Sequence, residues 1–139
     1  MAERVQFELV TPARVFAARE ADLVVAPGGD GNFGVLPGHA PLLSTLRPGV
    51  VDVYENDRLT ARIFVAGGFA EVAEERFTVL ADEAVAIEDI DAAAAAERLN
   101  AAREALVKAQ AAGEEDVAAA EAALKVAEAL LAAAGGQRA

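Results

Sequence analysis

The stretch from Pro27 to Ser44, PGGDGNFGVLPGHAPLLS, spells G-x-G-x-x-G at Gly29, Gly31 and Gly34. In a dinucleotide-binding α/β unit a helix begins directly after the last glycine, and its N-terminus holds the phosphates. Here Gly34 is followed by Val-Leu-Pro-Gly-His-Ala-Pro, and Pro37 and Pro41 leave no room for a helix. Glu55 lies at the distance of a ribose-binding acid, but 23 acids in the chain make that coincidence cheap. The glycines therefore read as a tight strand-to-strand turn over Gly28 to Gly31, with Gly34 marking a bulge or a close backbone approach. Asp30-x-Asn32 does not open an EF-hand, because the later ligands and the closing glutamate are missing. The stretch belongs to a β domain.

The same strand character extends on both sides. Val5, Phe7 and Leu9 alternate with Gln6 and Glu8 until Thr11-Pro12. Ala21 to Ala26 is a second apolar run, stopped by Pro27-Gly28-Gly29. Val50 to Tyr54 and Leu59 to Val65 flank the turn-prone Asn56-Asp57, and Phe69 to Val72 and Phe77 to Leu80 flank Glu74-Glu75-Arg76. Short strands at regular spacing predict a sandwich or barrel.

Near residue 85 the period changes. Asp91 caps AAAAAERLNAAREALVKAQAA and Gly113 ends it; a second helix is expected from Glu114-Glu115-Asp116 to about Ala134, before Gly135-Gly136. Leu99, Ala102, Leu106 and Ala109 step 3-4-3, and Val117, Ala120, Leu124, Ala127 and Leu131 continue that rhythm on the second helix. Two such seams joined at one glycine predict an antiparallel hairpin. Its alanines bury little area, so at about 25 cal/mol per Å² it is marginal alone and acts as a hinged appendage. The expected class is α+β: an N-terminal antiparallel β-sandwich over 1–86, then an antiparallel two-helix hairpin over 91–135.

Composition excludes several functions. A net charge of −11, with twelve scattered Lys and Arg, disfavours nucleic acid and anionic lipid as direct partners. The absence of cysteine removes disulfides and thiolate metal sites. The start MAERVQFELV does not read as a signal peptide, since Glu3 and Arg4 interrupt it, and no apolar run approaches the ~20 residues of a membrane helix. His39, the only histidine, has no Ser or Cys nucleophile in a recognisable context beside it. No catalytic residue, metal site or cofactor is expected. Without Trp and with one Tyr, a carbohydrate-binding sandwich lacks stacking platforms.

Three stretches carry a resemblance over residues 5 to about 134: FELVTPARVFAAREADLVVAPGGDGNFGVLPGHAPLLSTLRPGVV, VAGGFAEV and TVLADEA. In these, and in the order sandwich then hairpin, the chain resembles the epsilon subunit of bacterial F-type ATP synthase; GxFGVLPGHAPLLSxLxPG is the long, specific part. The resemblance implies a non-catalytic rotor subunit, peripheral on the cytoplasmic face of the bacterial plasma (inner) membrane. It would couple proton flow to ATP synthesis by binding the gamma subunit and the membrane rotor ring. Asp30, Gly31, Asn32 and Phe33 match the ring-contacting loop, with Asn32 at a position that is acidic in some members. Thr11, His39, Ala40 and Ser44 match positions facing gamma. Pro37, Pro41 and Pro48 restrict that region before it docks.

The hairpin resembles the family's mobile regulator, which reaches the catalytic alpha and beta subunits through basic residues. This chain departs from that pattern, with eight acids against five bases from Asp91 onward. Inhibition of hydrolysis is expected to be weak. Some members bind ATP through Ile/Leu-Asp-x-x-Arg-Ala; here Ile90 and Asp91 match, but Ala94 stands in the arginine position. The alternative, an ATP-sensing sandwich-and-hairpin module, lacks the guanidinium that would pair with phosphate.

Overall fold

The computed structural model describes residues 4–113 and 117–135. Two units divide between Ala86 and Ile87. The first holds ten strands: β1 Val5–Val10, β2 Val15–Ala21, β3 Leu23–Gly28, β4 Gly31–Val35, β5 Leu42–Leu46, β6 Gly49–Glu55, β7 Arg58–Val65, β8 Gly68–Ala73, β9 Arg76–Ala81 and β10 Ala84–Ala86. Their order is β10-β7-β6-β3-β5-β8-β9-β1-β2, with β4 on β3. The step from β3 to β5 is a single pair, Gly28 opposite Leu46, so it acts as the corner between two layers. The layers are β4-β3-β6-β7-β10 and β5-β8-β9-β1-β2, and the sandwich expected from the sequence is present.

Alternation decides what each layer buries. Val5, Phe7 and Leu9 of β1, Val72 of β8, and Phe77 and Val79 of β9 meet Val24, Val35, Val51, Val53 and Ile63 of the other layer in one core. Phe7 and Phe77 lie 6.0 Å apart in a tilted pair, a favoured arrangement of ring quadrupoles. Both two-residue turns have left-handed backbone: φ is 54° and 62° at Asn56 and Asp57, and 49° and 66° at Glu74 and Glu75. Such turns match the right-handed twist of hairpin strands.

The structure adds strands that composition hid. β2 (VFAAREA) is mostly exposed, and β10 is three residues long. The expected strand at Ala21 to Ala26 is divided, for Ala21 closes β2 and β3 starts at Leu23 and continues through Pro27 to Gly28. One pairing departs from the antiparallel expectation: β1 runs parallel to β9, Gln6 opposite Arg76 through Val10 opposite Leu80.

The second unit starts with a 3-10 turn, Ile87–Asp89, followed by α1 Ala92–Ala112 and α2 Val117–Gly135. The Asp91 carboxylate accepts from the amides of Ala93 (3.0 Å) and Ala94 (3.2 Å), satisfying two of the free donors at the start of α1. Gly113 takes φ 65° and returns its N–H to Ala109 and Gln110. None of the expected seam residues is exposed, and Ala95, Leu99, Ala109 and Ala127 are buried. Leu130, Ala133 and Ala134 are also buried, so α2 hides a wider arc near its end than its seam alone. The expected helix start at Glu114-Glu115-Asp116 lies outside the described residues, as does Gly136; α2 includes Gly135, one residue past the expected end.

Candidate functional site

The glycine stretch forms the hairpin β3–β4. Gly28 pairs with Gly31, leaving Gly29-Asp30 as a two-residue tip. A strand, not a helix, follows the last glycine of the motif. Gly29 donates its N–H to the Thr45 carbonyl at 2.9 Å, and a Cβ on Gly29 would sit 2.7 Å from Thr45 Oγ1. A Cβ on Gly34 would come within 3.2 Å of Leu23. The close Thr45 side chain accounts for Gly29 without a phosphate, whereas Gly34 closely meets only the flexible end of Leu23 in a regular ladder.

Asp30, Gly31 and Asn32 are exposed together at this tip. Phe33 is not with them, since its ring turns to the core and meets Phe77 edge-on at 6.1 Å. It anchors the hairpin. Arg47, which the sequence reading did not single out, reaches the turn from beyond the end of β5. Its Nη1 donates to the Gly28 carbonyl and its Nη2 to Asn32 Oδ1, each at 2.5 Å.

Thr11, His39, Ala40 and Ser44 occupy different settings. Thr11 closes the β1–β2 turn, with its N–H on the Arg14 carbonyl at 2.9 Å and its hydroxyl on the same carbonyl at 3.3 Å. His39 ends a turn in which its N–H meets the Leu36 carbonyl; Pro37 and Gly38 (φ 83°) are the central residues, as a type II turn requires. His39 Nδ1 donates to the Ala40 carbonyl at 2.6 Å. Ala40 is exposed, while Ser44 has the inward parity of β5 beside half-buried Leu42 and buried Leu46. The outward residues of β5 are Leu43 and Thr45.

That outward face carries the feature the sequence reading missed. Thr45 stands opposite Phe69, Phe69 opposite Leu80, Leu80 opposite Val10, and Val10 opposite Val15. The row crosses five strands. Phe69, Leu80 and Val15 are each a little over half exposed, and Leu43 is 71% exposed. Two residues along, the next row (Leu43, Glu71, Thr78, Glu8 and Ala18) is mixed. The apolar row starts at Thr45, the residue that holds Gly29, so tip and row adjoin. Only cross-strand register joins these residues; in sequence they are spread over 70 positions, from Val10 to Leu80.

Among the described residues, no group of three His, Asp or Glu is placed to hold a metal ion, and no helix is long and apolar enough to cross a membrane. Several polar groups have structural partners. Arg4 bonds Asn56 at 3.1 Å and pairs with Asp22, which also accepts from the Asn56 amide; Arg62 pairs with Asp52 at 2.9 Å.

The family model for the ATP synthase delta/epsilon chain beta-sandwich domain matches residues 4–87. The ATP synthase epsilon chain of Rhodospirillum rubrum is 51% identical over 136 residues, covering 98% of this chain and 100% of that one. The epsilon chain of Paramagnetospirillum magneticum is 48% identical over 133 residues, covering 96% and 98%. Among solved structures, a chain of the Euglena gracilis mitochondrial ATP synthase, in a structure of OSCP, F1 and the c-ring, aligns with a TM-score of 0.78 and 27% identity. It covers 94% of this chain and 81% of that one. With its sandwich matched by the family model and nearly its whole length shared with epsilon chains, the chain belongs to the epsilon-chain family of F-type ATP synthase.

Proposed function

We propose that the chain is a non-catalytic central-stalk subunit that couples proton flow through the rotor ring to ATP synthesis by joining that ring to the gamma subunit. The observation that carries this reading is the row Thr45, Phe69, Leu80, Val10 and Val15 beside the β3–β4 tip, in which Phe69, Leu80 and Val15 are exposed and Val10 is half-buried. An aromatic and aliphatic strip across the outer face of a sheet suits another protein better than a small molecule. Thr11 follows Val10 directly, so one of the residues matched to gamma-facing positions borders the strip. Gamma therefore takes the sheet face, with Thr11 bordering it and His39 and Ala40 in the loop before β5, while Ser44 lies on the inward side of that strand. The ring takes the polar tip at Asp30, Gly31 and Asn32, and Phe33 supports that tip from the core.

The helical unit regulates ATP hydrolysis weakly in this reading. Its exposed surface has few cations to meet acidic loops of the catalytic subunits. ATP is not a strong ligand of this chain, because Asp91 is engaged as the cap of α1 and Ala94 offers no guanidinium. The subunit sits peripherally on the cytoplasmic face of the plasma membrane, held through its partners.

Copurification tests the reading. Expressed with the gamma subunit of its own complex, the chain is expected to elute as a stoichiometric pair. Recovery only as a free monomer would overturn the stalk assignment.

A further inference from the structure

We propose that Arg47 is the positioning residue of the β3–β4 tip: its guanidinium bridges the Gly28 carbonyl and the Asn32 side chain, and so presets Asp30 and Asn32 for the rotor ring. The inference rests on the ring-contact reading above and deepens it.

Beyond the Gly29 N–H on the Thr45 carbonyl and the Phe33 anchor on β4, the tip is open to solvent. Gly29, Asp30, Gly31 and Asn32 are all exposed, and nothing lies within 4 Å of where a Gly31 Cβ would be. Glycine-rich backbone loses the most conformational freedom on ordering, so a partner that docked a loose tip would meet that cost itself. Arg47 removes it beforehand. The two nitrogens of its fork bond opposite sides of the turn, Gly28 at the end of β3 and Asn32 on β4, each at 2.5 Å.

The base of the fork is fixed independently. The Arg47 N–H donates to the Pro27 carbonyl at 3.0 Å, and the Gly29 N–H to the Thr45 carbonyl at 2.9 Å. These main-chain bonds join β3 to the end of β5 whatever side chain stands at 47. The guanidinium is thus an addition to a corner already closed, and its own contribution falls on the turn. A planar fork with two separated donors suits this task, whereas a lysine head is a single point of attachment.

The test compares Arg47→Ala, Arg47→Lys, Asn32→Ala, the Arg47→Ala/Asn32→Ala double variant and Asp30→Lys in the full chain. Amide exchange reads the free protein, and affinity for the purified rotor ring in detergent reads the contact. Loss of the charge-assisted bonds in Arg47→Ala is expected to speed exchange at Gly31 and Asn32 about tenfold. Exchange in the core strands stays as in the wild type. Ring affinity falls several-fold in Arg47→Ala and Asn32→Ala, the double variant is no worse than either, and Arg47→Lys recovers part of the loss. Asp30→Lys lowers ring affinity without changing exchange.

Unchanged exchange in Arg47→Ala overturns the proposal, since the bridge then holds nothing. Wild-type ring affinity in Arg47→Ala, with a loss in Asp30→Lys, overturns it while leaving the ring-contact reading intact. Wild-type affinity in both variants overturns the ring-contact reading and the proposal with it.

Discussion

Phe69 on β8 stands directly opposite Leu80 on β9, and each leaves more than half of its surface in solvent. One residue further along each strand, Ala70 faces Val79 and both are buried. The same hairpin therefore has one apolar face sealed in the core and one apolar pair left open. Burial in the sandwich accounts for the first pair and not for the second. The open pair continues through Val10 to Val15, so it is a strip rather than a stray side chain.

Phe69→Asp is expected to separate binding from folding. Central aromatic anchors of an interface cost about 2 kcal/mol or more when lost, so affinity for the gamma subunit should fall at least about thirtyfold. The thermal midpoint should change little, because the ring is already in water. Phe77→Ala is the contrast: fully buried between Phe7 and Phe33, it should lower stability by about 3–5 kcal/mol. Calorimetry of gamma binding and denaturant unfolding of both variants check the pair. A Phe69→Asp chain that bound gamma like the wild type would remove the strip from the interface.

Gly68→Ala should unfold the strip from beneath. Gly68 has φ 132°, and an added Cβ would lie 2.0 Å from the Leu80 carbonyl oxygen, a main-chain atom that no rotamer change can move. Strained backbone alone costs about 1–3 kcal/mol, and the clash adds to it. The urea midpoint should drop by the equivalent of at least about 2 kcal/mol. A midpoint within error of the wild type would show that β8 and β9 can part at this point without loss.

The parts of this fold legible in sequence are those set by local chemistry. Asn56-Asp57 marked its hairpin because these residues tolerate left-handed backbone, and Leu99, Ala102 and Leu106 marked a helix by spacing alone. β2 was not legible because Arg19 and Glu20 interrupt its apolar pattern and most of the strand is exposed. β4 was obscured by its glycines. The exposed strip and the parallel β1/β9 pair were hidden for another reason. Both depend on register between strands remote in sequence, and no period within one strand carries that information. The resemblance supplied the tip and the His39 loop, but read residue by residue it put Phe33 at the tip, and did not show that Ser44 has the inward parity of β5. Arg47 escaped notice because an exposed arginine between Leu46 and Pro48 has no pattern to announce it.

Asp91 is expected to act as a helix cap and not as a nucleotide ligand. Asp91→Ala removes an acceptor for two α1 amides and should lower the stability of the helical unit by about 1 kcal/mol. Magnesium-ATP at millimolar concentration should shift the melting of neither the wild type nor this variant. Calorimetry giving a low-micromolar dissociation constant for ATP would contradict the assignment, and a rise in affinity on Ala94→Arg would show that the guanidinium was the missing part.

Removal of residues 91–139 should leave ATP hydrolysis by the assembled complex nearly unchanged. An inhibitory hairpin that works by charge must bring cations to acidic loops, and α2 carries Lys125 as its only base. In α1, Arg98, Arg103 and Lys108 are matched against Glu97 and Glu104, which leaves little net field to steer the unit upward. Exposed pairs of this kind are worth about 0–1 kcal/mol each and are screened by salt, too little to hold the unit against a turning rotor. The measurement is the hydrolysis rate of the purified complex with the full-length and the truncated subunit, at low and at physiological salt. A several-fold activation on truncation, above all one that survives high salt, would show that the hairpin inhibits through apolar contacts, with Val107, 64% exposed on α1, as the first residue to substitute.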